Sequence, residues 1–275
     1  MKILYIDSCI ISIDEYKNYI DNLHNFNKIG RGTYCFTYKI TKDFVIKRYP
    51  YEQNYDEEMN DYIPEIKSEI KFIKKYNYLP YVANTFIISI VDNDIYILQE
   101  YLRIPNIINS NINSFKNNLY YFLDLIKINT DLLKYNYINF DIKHTNIGYD
   151  SKNYLKIFDF NLFFEIENCS KKINLYRKFD YYYLHPPINF TIKNIISYSV
   201  AILILESFST NSECKEFLYE PQKLKYSKFV LLKLKESLLT PKLYKMLHLC
   251  LTDKYSPEYF YNELKSLYLK IETQL

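Results

Sequence analysis

In the run Asn139-Phe140-Asp141-Ile142-Lys143-His144-Thr145-Asn146, a carboxylate is followed two residues on by an ammonium group and five residues on by a carboxamide. Phosphoryl transfer uses these three groups together. An acid orients the attacking hydroxyl and takes its proton, a cation offsets charge on the transferring group, and an amide oxygen helps to hold magnesium. Alone, such a spacing fits an ordinary surface turn equally well. A second run, Ile157-Phe158-Asp159-Phe160-Asn161, is a short apolar strand ending in an acid, and supplies the carboxylate that a metal would need.

Other residues suited to this chemistry lie upstream. Two of the chain's three glycines, Gly30 and Gly32, stand two residues apart between β-rich runs. Glycine permits close approach to a ligand and positive φ, so a Gly-x-Gly hairpin could lay its amides over phosphates; an ordinary hairpin turn has the same pattern. Phe44-Val45-Ile46-Lys47 is strand-like and ends in a lysine, the type of residue that also solvates sheet edges. Pro64 suits a first helical position, and Ile66, Ile70, Ile73 and Phe72 follow at helical spacing. On that helix Glu65 and Glu69 lie one turn apart, so either could face Lys47 or merely pair with Lys74 or Lys75.

The elements that must position these residues change character along the chain. Residues 1–25 alternate short apolar runs with acids, and Ile13-Asp14-Glu15-Tyr16 could open a helix; no chemistry is assigned there. From Phe26 the pattern is β-rich with one helix, and Phe86 to Val91 and Ile95 to Glu100 form a hairpin around Asp92-Asn93-Asp94. After Leu102 helices dominate. Ser114 is the expected cap of a long helix to Lys134, with Phe115, Leu119, Phe122, Leu123 and Ile126 on one face. Ile195 to Phe208 is the most apolar run, and at about 14 residues it suits a buried helix better than a membrane span. The expected class is α+β, with 1–25 an N-terminal extension, 26–102 a β-rich lobe and 103–275 a mainly helical lobe, joined near Glu100 to Ile104.

A chain of 275 residues can bury a large core, and a net charge of +3 is too small to suggest a dedicated nucleic-acid binder. Cys9, Cys35, Cys169, Cys214 and Cys250 are odd in number, widely spaced and free of any CxxC pair, which points to free thiols in a reducing, cytoplasmic setting. No signal peptide or transmembrane segment is expected, and nothing in the sequence sets an oligomeric state.

From about Phe26 onward the chain resembles a eukaryotic-type protein kinase with a bilobal fold, on the order and spacing of several short motifs. Ile29-Gly30-Arg31-Gly32-Thr33-Tyr34 resembles the family's glycine-rich loop, and Val45-Ile46-Lys47 its ATP-anchoring strand. Glu69, eleven residues before Pro80, stands where the family has the helix glutamate that pairs with that lysine. Ile97-Leu98-Gln99-Glu100-Tyr101-Leu102 resembles the hinge, with Gln99 as gatekeeper. Asp141, Lys143 and Asn146 match the catalytic loop, and Asp159 the magnesium aspartate. Tyr183-Leu184-His185-Pro186-Pro187 resembles the end of the activation segment, and Ile195 to Phe208 the buried supporting helix. The resemblance implies ATP and magnesium as cofactors. It also implies Asp141 and Lys143 as catalytic residues, Asn146 and Asp159 as metal ligands, and Gly30, Gly32, Thr37, Val45, Lys47, Glu69, Gln99, Glu100 and Leu102 around the nucleotide.

The chain departs from the family in its scaffold and regulatory residues. Cys35 replaces a third loop glycine, Asn139 and Phe140 stand where His and Arg are usual, and Asn161 replaces the glycine after Asp159-Phe160, where it would tolerate left-handed geometry. Pro187 replaces a glutamate whose arginine partner is also missing from Thr252-Asp253-Lys254-Tyr255-Ser256-Pro257, and Asn194 replaces the aspartate that opens the supporting helix, where it can still accept backbone hydrogen bonds. Divergent kinases of large DNA viruses, such as poxviruses, resemble this pattern. Without an arginine at Phe140, and without a threonine between Asp159 and Tyr183, control by activation-loop phosphorylation is not expected; Phe140 packed against Phe160 to Phe163 would replace the ionic clamp. Lys143, two residues after Asp141, is similar to kinases acting on Ser and Thr, so the expected partner is a protein substrate with such a hydroxyl. Two other classes fit in part. A pseudokinase would usually lose Lys47, Asp141 or Asp159, and a small-molecule kinase of the aminoglycoside or choline type usually lacks a lysine at the position of Lys143.

Overall fold

The computed structural model describes residues 1–7, 11–57, 61–107, 112–166, 191–208 and 241–272. Tyr183 to Pro187, Cys169 and Cys214 lie outside them. The fold is α+β, with a mostly antiparallel sheet and several helices, and the chain divides into two compact units: residues 1–105 with 145–162, and residues 106–144 with 163–275.

The first unit is built on a six-stranded antiparallel sheet. Its strands are β1 (Lys2–Ile6), β2 (Asn27–Arg31), β3 (Phe36–Lys39), β4 (Phe44–Tyr49), β7 (Thr85–Val91) and β8 (Asp94–Glu100), in the order β1-β7-β8-β4-β3-β2. A small hairpin of β5 (Tyr55–Asp56) and β6 (Asp61–Tyr62) follows the short helix α2 (Tyr51–Asn54). Side chains alternate across a strand, so β4 sends Phe44 and Ile46 to one face and Val45, Lys47 and Tyr49 to the other. The first face packs with Leu98 and Tyr96 of β8 and Ile87 of β7 against Tyr16 and Ile20 of helix α1 (Ile13–Asp21). The second face meets helix α3 (Pro64–Tyr76), which begins with its proline and buries Ile66, Glu69, Phe72, Ile73 and Tyr76.

Residues 1–25 are therefore not an appendage. β1 pairs along β7, and α1, capped by the Ser12 side chain, covers one sheet face, where the Tyr16 hydroxyl meets Ser89 Oγ at 2.8 Å. Buried Asn77, just past α3, adds a polar tie: its amide reaches Asp7 Oδ2 at 2.8 Å and Thr85 O at 3.0 Å, and its Oδ1 accepts from Thr85 N–H at 2.7 Å. Alternating short runs gave no period long enough to reveal this. The β7–β8 turn is tighter than expected, two residues with Asp92 at φ 48° and Asn93 at φ 68°, the left-handed pair of a two-residue hairpin, and Asp94 belongs to β8.

Residues 145–162, expected with the helical lobe, belong to the first unit. They form the hairpin β10 (Ile147–Tyr149) and β11 (Leu155–Ile157), which is held by reciprocal 2.9 Å bonds between Arg103 and Tyr149 and by Ala83 N–H to Ile157 O at 2.9 Å. Gly148 is the glycine this packing requires, because a Cβ there would stand 2.6 Å from Leu102 Cβ and 3.3 Å from Arg103 O.

In the second unit, helix α4 (Ile112–Leu133) begins two residues before Ser114, which is therefore inside the helix and not its cap. Phe115, Leu119, Phe122, Leu123 and Ile126 are buried as one face. Helix α5 (Asn194–Phe208) is buried almost all round, the fate of a helix without a polar face. Helices α6 (Pro241–Cys250) and α7 (Pro257–Glu272) are also in the unit, α6 against α5 and α7 against both α4 and α6. Among the described residues no helix is long and apolar enough to cross a membrane. At the start of α5, Asn194 donates to the Asp253 carboxylate at 2.9 Å, where acceptance from the backbone was expected; Thr191 N–H and Oγ1 donate to the same carboxylate at 3.2 and 3.1 Å. An acid thus organises the stretch Thr252 to Pro257, which holds no arginine.

Candidate active site

Three ionisable side chains from separate elements of the first unit converge. Lys47, on the α3-facing side of β4, extends its Nζ to 2.8 Å from Glu69 Oε1 and 3.2 Å from Asp159 Oδ1. Of the two candidate glutamates, Glu69 is the one turned to Lys47. It is fully buried and Lys47 is 4% exposed, so neither charge is tolerable without the other. Burial alone would pull the Lys47 ammonium below its ordinary value, but Asp159 and Glu69 outweigh it and hold the group above that value, protonated.

The β10–β11 hairpin brings the two expected metal ligands to one end of one element. Asn146 precedes β10 and Phe158 follows β11, and Phe158 N–H donates to the Asn146 carbonyl at 3.0 Å, which leaves Asn146 and Asp159 as near neighbours. Buried Phe160 stacks on Phe72 of α3, with ring centroids 4.9 Å apart. The turn between these anchors is made at Asp159, whose φ is 65°. Asn161 was expected to tolerate left-handed geometry, but it has no positive φ; the structure has that geometry at the aspartate. One lysine between two carboxylates leaves one net negative charge, and the more accessible acid is Asp159, with its side chain 23% exposed. A carboxylate and a carboxamide oxygen are hard donors of the kind that suit magnesium, and nucleotide phosphates would complete such a shell. Among the described residues no group of three or more His, Cys, Asp and Glu forms a closed metal cage.

Of the residues expected around a nucleotide, Gly30, Thr37, Val45 and Gln99 share the Lys47 face of the sheet, whereas Glu100 is across from Phe44 on the opposite face. Thr37 is directly across from Lys47, Gly30 across from Thr37, and Gln99 across from Val45. Gln99 is buried and donates to Thr85 Oγ1 at 2.8 Å. The Glu100 side chain serves the scaffold, accepting from Lys156 Nζ at 2.5 Å and Asn84 N–H at 2.7 Å. Tyr101 N–H is taken by Asp43 O at 2.7 Å, whereas Leu102 makes no backbone hydrogen bond among the described residues.

The glycines behave differently from the expectation. Neither Gly30 nor Gly32 has positive φ, and a Cβ on either would make only ordinary contacts, at 3.6 and 3.5 Å. Gly32 N–H closes a turn onto Cys35 O at 2.9 Å. Cys35, far from decorating the loop tip, is buried beneath the turn, and burial pushes its thiol up to about 11 against the opposing pull of Lys47.

Asp141 and Lys143 belong to the second unit. There Lys143 Nζ meets Asp141 Oδ2 at 2.7 Å, with the two side chains 31% and 20% exposed. Strand β9 (Tyr137–Asn139) pairs with β12 (Phe163–Glu165), and from its end buried Asn139 accepts from Asp141 N–H at 2.8 Å, bracing the loop. Phe140 packs edge-to-face on Phe164, with centroids 5.6 Å apart, one residue beyond the segment expected to receive it. His144 was not singled out from the sequence. It stacks on Tyr121, whose hydroxyl lies 2.8 Å from Nδ1, and burial draws its pKa below the ordinary value against the pull of Glu206.

No protein-family model and no curated protein matches the chain.

Proposed function

We propose that the chain is an ATP-dependent protein kinase that transfers the γ-phosphate to Ser or Thr hydroxyls of a protein substrate in a reducing, cytoplasmic setting. The observation that carries this reading is the buried Lys47–Glu69 pair reaching Asp159, in which strand, helix and hairpin each contribute one charge. A fully desolvated lysine kept cationic beside an accessible carboxylate is suited to polyphosphate. On this reading Lys47 anchors the α- and β-phosphates, and Leu102's backbone receives the adenine edge between Val45 and Gln99. Asp141 accepts the hydroxyl proton, and Lys143 steadies the γ-phosphate. Asn146 and Asp159 would hold magnesium, which supplies charge neutralisation for the phosphates when bound. The Ser/Thr class rests on the resemblance at Lys143.

The direct test is transfer of labelled phosphate from ATP to a generic protein acceptor, followed by phosphoamino-acid analysis. Wild-type protein should yield phosphoserine or phosphothreonine. Asp159→Ala should abolish transfer, and Asp141→Asn should slow it while leaving ATP binding nearly intact. Phosphotyrosine as the main product, or full activity in Asp159→Ala, would defeat the reading. One observation favours a second reading, a nucleotide-binding or scaffolding pseudokinase: the Gly32 amide, which the first reading turns toward phosphate, is bonded to Cys35 O. MgATP binding without transfer to any acceptor would select it.

A further inference from the structure

A carboxylate has two oxygens, and in a fully buried residue both need a partner. Lys47 serves Glu69 Oε1; the Tyr49 hydroxyl donates to Oε2 at 2.5 Å. Lys47 and Tyr49 are two residues apart on β4, so the pleat sets both on the face toward α3, where they grip one carboxylate from either side. Tyr49 is itself fully buried, and Lys47 Nζ lies 5.5 Å from its ring centroid. Its hydroxyl is also near enough to act on the Cys35 thiol beneath the glycine turn.

We propose that Tyr49 is a positioning residue that fixes Glu69 and thereby decides how Lys47 is shared between Glu69 and Asp159. This rests on reading Lys47 as the nucleotide anchor. With Oε2 held, the glutamate's terminal torsion, broad by nature, is pinned, and Oε1 stays directed at Lys47. Without the hydroxyl, Glu69 is free to turn away, and Lys47 falls toward Asp159, 3.2 Å away, occupying the carboxylate that a cation would use. A neutral donor does this without adding charge to a cluster that already holds one cation and two anions.

The test is a double-mutant cycle on Tyr49→Phe and Glu69→Gln, read by MgATP affinity and by melting temperature of the ligand-free protein. Tyr49→Phe keeps the buried ring and removes only the hydroxyl. It should weaken MgATP binding by roughly tenfold to a hundredfold, the range for losing a hydrogen bond to a charged group. In the Glu69→Gln background the same change should add less than about twofold, because its effect passes through Glu69. If Glu69→Gln leaves binding too weak to follow, the melting temperatures carry the cycle, and their non-additivity is the expected result. The KM for ATP should rise more than kcat falls, a split that a loosened fold would not produce. Unchanged MgATP affinity in Tyr49→Phe, or effects that multiply in the double variant, would overturn the proposal. Wild-type protein that binds no MgATP would remove the nucleotide reading and the positioning role with it, and that outcome is separate from a wild type that binds while Tyr49→Phe is silent.

Discussion

On the proposed function Lys47→Met should silence phosphate transfer, and the structure gives the substitution a second consequence. The substitution preserves length and apolar bulk but strands a carboxylate in a fully buried position, with only the Tyr49 hydroxyl still on Oε2. Breaking a buried pair from one side costs about 3–5 kcal/mol, most of it the uncompensated charge. At about 2–4 °C per kcal/mol for a protein of this size class, the melting midpoint should fall by roughly 6–20 °C. Lys47→Met combined with Glu69→Gln removes the orphaned charge while leaving Tyr49 an acceptor, and should recover more than half of the loss. Calorimetry of wild type, the single variant and the double variant decides the matter. A midpoint within about 2 °C of wild type in the single variant, or a double variant less stable than the single, would refute the account of the cluster. If it stands, inactivity of Lys47→Met has to be read beside its melting curve.

Gly148→Ala should cost about 1–3 kcal/mol because its Cβ would meet Leu102 Cβ at 2.6 Å, whereas Gly30→Ala, with its nearest contact at 3.6 Å, should melt near wild type; the reverse order in thermal melts would contradict the packing. Cys35 should resist iodoacetamide in native protein at pH 8 and become labelled only as the pH approaches about 11, as followed by peptide mass spectrometry. The same shift has a sign for stability. The folded thiol keeps its proton where the unfolded one loses it, so its contribution is complete below the ordinary value of 9.0 and is lost as pH rises toward about 11. Asn77→Ala should destabilise the first unit by about 1–3 kcal/mol by stranding the buried Thr85 N–H and carbonyl, with hydrogen exchange quickening first in β1 and β7; protection unchanged there would count against the Asn77 tie.

The pairing of charged residues was legible in the sequence from type and spacing. Lys47, Glu69 and Asp159 each carry a charge at the end or on the face of an apolar run, and such a charge must have a partner if the run is buried. The long hydrophobic faces of α4 and α5 were legible for the same reason, since periodicity over several turns leaves few alternatives. What was missed depends on atoms that pattern does not encode. Tyr49 is one of 32 tyrosines, and nothing in its identity says that its hydroxyl ends on Glu69 Oε2. The need for glycine at position 148 arises from Leu102 and Arg103, which are remote in sequence, and the left-handed turn falls on Asp159, next to Phe160, whose contact with Phe72 of α3 is equally remote in sequence. Ser114 looked like a cap by type, but a cap is defined by where the helical dihedrals begin, and they begin earlier.

The part played by the first 25 residues bears on how the protein is handled. A polypeptide started at Phe26, where the recognisable pattern begins, would lack both β1 and α1. It would present Ile46, Ile87 and Leu98 to water as a contiguous apolar face, together with the unpaired edge of β7. An open edge beside an exposed greasy surface is the usual seed of aggregation. Insoluble product from such a truncation would therefore report a missing wall of the sheet, and would say nothing about whether the remaining residues have catalytic competence.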